Sequence, residues 1–325
     1  MKPLFKVLLA VLVLLVGSAI GGYFYVRKKF EPPVNQLTLT QLPATCSFLW
    51  DADTTAGRAM PHAALLVPVT LPGCPRTCYL QFDTGAPYSI LYDNPLAALR
   101  ARYPATHNAL LPHADSVRNF RFAIGQGQVQ VRTIRVMHRG ATQLPADSTA
   151  PLVIGTLGSD VLADQALVVD YARRRFSLYS SVPDSLARRA AYVPMRFDSR
   201  RVLLDVGLQG KPKQLLFDSG SSAFALLTNQ ATWHDMARPA ALAHTVPVNS
   251  WGKTLTAHTV PTAAAMQVGS LVLPLRTVTY IEGMSWRETL LMRFSGMGGM
   301  LGNEPFVEHT VIMDAPRGRF GVVQN

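Results

Sequence analysis

The sequence predicts an all-β chain of two similar halves behind an N-terminal transmembrane helix. Three observations carry this expectation. Runs of Val, Leu, Thr and Phe, broken by Gly and Pro, recur along most of the 325 residues, and helical periodicity is scarce beyond the N-terminus. A block of sequence recurs at a nearly constant offset. Ahead of both lies an uncharged stretch, Val7 to Val26, 20 residues long.

That stretch is long enough to cross the hydrocarbon core of a bilayer as a helix. Lys2 and Lys6 precede it, and Tyr23-Phe24-Tyr25 beside Arg27-Lys28-Lys29 suits an interfacial belt. A signal peptide cleaved after Ala19 is the competing reading. Residues 1–30 are therefore assigned to a membrane anchor. Residues 31–60, with Pro32-Pro33 and no periodicity, are assigned to a stalk or lead-in, with a removable pro-segment as the alternative. The expected location is that of a single-pass membrane protein with its folded part outside the cytoplasm, periplasmic or extracellular. Cys74 and Cys78 contribute to this choice, because they flank a tight turn and suit a disulfide in an oxidising compartment. Two reduced cysteines in a hairpin are the alternative, and Cys46 is left over.

The repeat organises the remainder. Phe82-Asp83-Thr84-Gly85 recurs as Phe217-Asp218-Ser219-Gly220, an offset of 135. Ile124-Gly125 then matches Val268-Gly269 at an offset of 144, and the same offset carries Leu157-Gly158 onto Leu301-Gly302 and Asp170 onto Asp314. The shift from 135 to 144 places nine additional residues in the second copy. The copies span 61–181 and 192–325, joined by a linker at 182–191 that has the composition of a short helix.

The duplicated motifs resemble those of the pepsin-like and retropepsin-like aspartic proteases. The resemblance rests on Leu80 to Ala86, Leu215 to Ser222, Leu157 to Leu162 and Leu301 to Phe306, and it covers most of the chain after about residue 60. It implies a bilobal fold of two pseudo-symmetric, β-barrel-like lobes. It also implies an aspartic-type endopeptidase with Asp83 and Asp218 as the catalytic pair. Thr84 and Ser219 would brace the two active-site loops, and the Leu-Gly elements would lie behind them. Gly85 and Gly220 would permit the sharp turns and the close approach of two backbones.

The chemistry gives this pattern a reason. Two carboxylates about 3 Å apart cannot both ionise, so they hold one proton between them. One then serves as general base towards water while the other donates to the scissile carbonyl. Ser221 offers a further donor to Asp218, whereas Ala86 offers none to Asp83, so Asp218 is the partner expected to carry the charge. Asp170 and Asp314 precede Arg-rich turns in both copies and are expected to be structural.

A closing flap in the first copy would fall at Ala105 to Asn119, which lacks a hairpin signal. The second copy holds the additional residues and Trp251-Gly252, a candidate flap tip, with a core tryptophan as the alternative. No His-Glu-x-x-His, Gly-x-Ser-x-Gly or phosphate-loop pattern occurs, so no metal and no cofactor are expected. The net charge of +11 suits an anionic surface. The arginines are spread along the chain, and the Arg173-Arg174-Arg175 cluster reads as a turn, so no nucleic-acid partner is expected. The expected partners are a polypeptide substrate and the membrane, for a monomeric catalytic unit. A non-catalytic peptide-binding module of the same fold is the rival reading, and a structural envelope protein a weaker third.

Overall fold

The computed structural model describes residues 17–18, 21–22, 28, 31–53, 60–250, 253–283 and 298–324. The chain divides at Val34, and Asn35–Asn325 forms one compact unit that contains both copies of the repeat. Of the unit before it, residues 17–18, 21–22 and 28 are helical. The expected anchor, Val7 to Val26, otherwise lies outside the described residues. Among the described residues no helix is long and apolar enough to cross a membrane.

The protein is mostly β, with 51% of it in strands. The lead-in and first copy hold β1 (Leu37–Thr40), β2 (Ala44–Ser47), β3 (Leu49–Asp53), β4 (Met60–Val69), β5 (Cys78–Asp83), β6 (Ile90–Tyr92), β7 (Ser116–Ile124), β8 (Gly127–Met137), β9 (Val153–Gly158), β10 (Ala166–Asp170) and β11 (Arg175–Tyr179). The second copy holds β12 (Ala191–Asp198), β13 (Arg201–Leu208), β14 (Lys211–Phe217), β15 (Leu226–Thr228), β16 (His244–Ser250), β17 (Lys253–Pro261), β18 (Ala265–Val268), β19 (Leu271–Pro274), β20 (Thr277–Glu282), β21 (Met300–Leu301), β22 (His309–Asp314) and β23 (Arg319–Gln324). A short helix, Asp184–Ala187, lies in the expected linker.

Two sheets result. One runs β1-β8-β6-β9-β5-β4-β3, with β7 on β8, and the other runs from β16 through β14, β12, β22 and β10 to β2. Neither closes on itself, so the barrel-like lobes expected from the sequence are open sheets instead. The expected stalk also differs from what forms. Within 31–60, β1 pairs with β8, β2 with β11 and β3 with β4. The partners of β1 and β2 lie far along the chain, so nothing local in the sequence marks these short segments as strands.

Burial follows the residue pattern. β8 alternates, with Val129 and Val131 inward and Gln128 and Gln130 outward, as a strand with one wet face must. β10 and β22 read Ala-Leu-Val-Val and Thr-Val-Ile-Met and are buried on both faces. On one face Leu167, Val169, Val311 and Met313 join the main core, and on the other Ala166, Val168 and Ile312 form a smaller cluster with Val182 and Val323.

The register of β10 and β22 is informative. They pair antiparallel with Val168 opposite Ile312, and the pairing continues to Ala166–Asp314 and Asp170–Thr310. Val168 and Ile312 are equivalent positions of the repeat, offset by 144. A local two-fold relation between the copies therefore passes through this pair. It also relates β5, β9 and β6 to β14, β21 and β15, which pair in the same parallel and antiparallel senses.

Candidate active site

Each Asp-Thr/Ser-Gly turn is delivered by a strand whose last apolar residue is sunk in the core. Phe82 is the last apolar residue of β5 and packs edge-on against Phe176 of β11, with ring centres 5.2 Å apart. Phe217 ends β14 and meets Phe306 at 5.6 Å and Phe320 at 5.5 Å. β11 thus lies beneath the first turn, and β23 with the helical turn Glu304–Phe306 beneath the second. The Leu-Gly strands explain themselves in the same way. β9 runs parallel to β5 and antiparallel to β6, so Leu157-Gly158 threads between the two ends of the first turn. A Cβ on Gly158 would come within 2.5 Å of the Tyr88 carbonyl carbon, and one on Gly302 would collide with the carbonyls of Ser221 and Phe224. Glycine is needed where one chain segment crosses another this closely.

The two turns are joined through their hydroxyl residues. The Thr84 amide donates to Ser219 Oγ at 2.9 Å, and the Ser219 amide donates to Thr84 Oγ1 at 2.9 Å. Each hydroxyl then donates across the two-fold relation. Thr84 Oγ1 reaches the Phe217 carbonyl at 2.7 Å, and Ser219 Oγ reaches the Phe82 carbonyl at 3.2 Å. Both side chains are fully buried. Four hydrogen bonds thereby hold two segments 135 residues apart.

This clamp brings the carboxyls together. Gly85 lies against Asp218, where a Cβ would sit 2.6 Å from Oδ1, and Gly220 lies equally tight against Asp83. Asp83 Oδ1 accepts from the Gly85 amide at 2.8 Å and the Ala86 amide at 3.2 Å. Asp218 Oδ1 accepts from the Gly220 amide at 2.9 Å, and its Oδ2 accepts from Ser221 Oγ at 3.0 Å. Burial pushes the Asp83 carboxyl up to about 7, reinforced by the Asp218 charge and a hydrogen bond with that carboxyl, against the pull of its two amide donors. The pair thus suits a single retained proton.

No protein-family model and no curated protein sequence matches this chain.

Further residues brace the site, and the sequence reading did not single them out. Asn303 follows the repeated Leu-Gly and is fully buried. Its Nδ2 donates to Ser222 Oγ at 2.9 Å and to the Ser219 carbonyl at 3.4 Å, while its Oδ1 accepts from Tyr171 Oη at 2.8 Å. In the first copy, buried Asp160 accepts from the Ser89 amide at 2.8 Å and the Ser89 hydroxyl at 2.7 Å. Ser89 Oγ also accepts from the Gly158 amide at 3.0 Å. Burial raises the Asp160 carboxyl above the usual carboxylate range. The signal lay in their place after the duplicated Leu-Gly, Asn303 directly after it and Asp160 one residue further on.

Asp170 and Asp314 hold their turns. Asp170 accepts from the Arg173 amide and guanidinium, each at 2.9 Å, and Asp314 takes Arg319 Nε at 2.8 Å. Cys74 and Cys78 are free thiols, as is Cys46. Of Ala105 to Asn119, the first residues close a helical turn, Pro104–Thr106, His113 forms a bridge with Ser116, and Ser116 to Asn119 begin β7, which pairs with β8 in a hairpin. The second copy has β16 and β17 paired from His244–Thr259 to Ser250–Lys253. Trp251 and Gly252, between those strands, lie outside the described residues.

Proposed function

We propose that this chain is an aspartic endopeptidase of bilobal, aspartic-protease-like fold, hydrolysing extended polypeptides across the cleft between its halves. The observation that carries the reading is the meeting of Asp83 and Asp218, one from each copy of a duplicated turn, with Asp83 raised to about 7. In this reading Asp83 enters the cycle protonated and Asp218 ionised, with the charge stabilised by the Gly220 amide and Ser221 hydroxyl.

The steps follow from that assignment. A water between the carboxyls loses a proton to Asp218 as its oxygen bonds to the scissile carbonyl carbon. Asp83 gives its proton to the carbonyl oxygen, and a neutral tetrahedral diol results. The C–N bond then breaks as the nitrogen takes the proton held by Asp218. One diol hydroxyl returns its proton to Asp83, which leaves a carboxylic acid, an amine and the starting protonation state. No covalent enzyme intermediate forms. The rigid clamp through Thr84 and Ser219 holds both groups in place and lowers the reorganisation needed at each step.

Attachment to a membrane through the uncharged Val7 to Val26 segment, with the catalytic part outside the cytoplasm, belongs to the same proposal. The hairpin β16–β17 is proposed as the flap.

The test is cleavage of a mixed peptide library by the full chain across the acid-to-neutral range, beside Asp83→Asn and Asp218→Asn. Cleavage by the wild type and at least a hundredfold loss in each variant is the expected outcome. Undiminished cleavage by either folded variant would overturn the mechanism. Saturable peptide binding without cleavage would make the chain a binding module instead.

A further inference from the structure

The inter-copy sheet has a second face, turned away from the carboxyl pair. The register fixes which residues it presents. On β10 and β11, Val168 stands opposite Ser177 and Asp170 opposite Arg175. These side chains share a face with Ile312 of the smaller apolar cluster, while their neighbours Val169 and Phe176 point into the main core beneath the turns. A cavity of about 290 Å³ opens there, between the sheet and the segment containing Leu186 and Arg189.

Its lining is unusual for a sheet surface. Arg173, Arg175 and Arg189 converge on it with one carboxylate, Asp170, and with Ser177 and Tyr179. Asp170 is engaged by Arg173 at 2.9 Å. Arg175 and Arg189 have no ion pair among the described residues. Two exposed guanidiniums thus face one concavity of otherwise apolar and hydroxyl character, with a local excess of positive charge. Three guanidiniums share one carboxylate there, so an anion that bridges the surplus charge is favoured, and planar guanidinium forks match phosphate oxygens.

We propose that this cavity is a binding site for a phosphoryl-bearing anion, held by Arg175 and Arg189 with Arg173 at its edge. The shared chemistry is a phosphate group, supplied either as a free phosphate or as the headgroup of an anionic phospholipid. The site is separate from the carboxyl pair, and its occupation does not depend on peptidase activity.

The experiment titrates the full chain calorimetrically with inorganic phosphate and, separately, with a soluble short-chain phosphatidylglycerol. The Arg175→Gln/Arg189→Gln double variant is compared with Arg118→Gln/Arg121→Gln, which removes two exposed arginines from β7 on the other sheet. All four positions are exposed, so folding is retained, and thermal melts verify it. Saturable binding weakened at least tenfold by the first pair and unchanged by the second is expected. The tighter of the two ligands identifies the source, orthophosphate for a free anion and the phosphodiester for a lipid. No saturable binding of either ligand, or equal binding by the two double variants, would overturn the proposal.

Discussion

Thr84 and Ser219 each donate a backbone amide to the other's hydroxyl at 2.9 Å, across the two-fold relation between the copies. Neither side chain is exposed, so water cannot replace a lost partner. Thr84→Val and Ser219→Ala should each lower stability by about 1–3 kcal/mol, because each strands an amide and a carbonyl. The two losses should not add, since both substitutions break the same network. Urea melts of the singles and the double measure this, and strict additivity would show that the clamp is not one unit.

The raised Asp83 carboxyl makes stability depend on pH in a defined sense. The folded state keeps this proton up to about pH 7, whereas an unfolded aspartic acid has a value of 3.8. Between those values the folded state binds the additional proton, so stability falls as pH rises, and the full penalty is present above about 7. Asn at this position has no proton to lose. Asp83→Asn should therefore melt above the wild type at about pH 8 and lose that advantage at about pH 4. A pH-independent difference in melting temperature would contradict the assignment.

In the proposed mechanism the same proton sets the upper edge of activity. If Asp83 is the acid, turnover should decline above about pH 7, where the pair loses its last proton. Ser221→Ala removes a donor to Asp218 Oδ2 at 3.0 Å and should lower turnover by roughly tenfold. Unchanged turnover would remove Ser221 from the mechanism.

Gly85 and Gly220 test the approach of the carboxyls directly. A methyl on Gly85 would lie 2.6 Å from Asp218 Oδ1, so Gly85→Ala must push the two turns apart. Displacements of about 1 Å at reacting groups cost on the order of 100-fold in rate. Peptide cleavage by Gly85→Ala and Gly220→Ala should fall by at least that factor while circular dichroism stays native. Near-normal rates in both would mean that the carboxyls need not touch.

Asn303 links Tyr171 to Ser222 and to the turn at Ser219. Asn303→Leu leaves the fully buried Tyr171 hydroxyl without its acceptor and should cost about 1–3 kcal/mol. Adding Tyr171→Phe should return part of that loss, because the stranded hydroxyl is gone. No recovery in the double variant would argue against this hydrogen bond.

Much of this arrangement was legible in the sequence because it is duplicated. The 144-residue offset that aligns Val168 with Ile312 is realised as direct strand pairing, and the twin turns meet. What escaped notice lacks either repetition or periodicity. β1, β2 and β3 are four or five residues long, and β1 and β2 join strands distant in sequence. Asp160 in the first copy and Asn303 in the second brace their turns from non-equivalent positions of the repeat, so no shared motif marks them. The open sheets differ from the expected barrel-like lobes because alternation along a strand specifies which face is buried, not whether the sheet closes.

The floor beneath the turns has a consequence for synthesis. Phe217 rests on Phe306 and Phe320, and β10 pairs with β22 on one side and β11 on the other. A ribosome-bound chain that has not yet released residue 320 therefore has both aspartates but no surface to hold the second turn. Such a nascent chain should be catalytically silent. In the proposed function, translation itself would time the appearance of activity, and would keep an unfinished peptidase from attacking its own emerging segments.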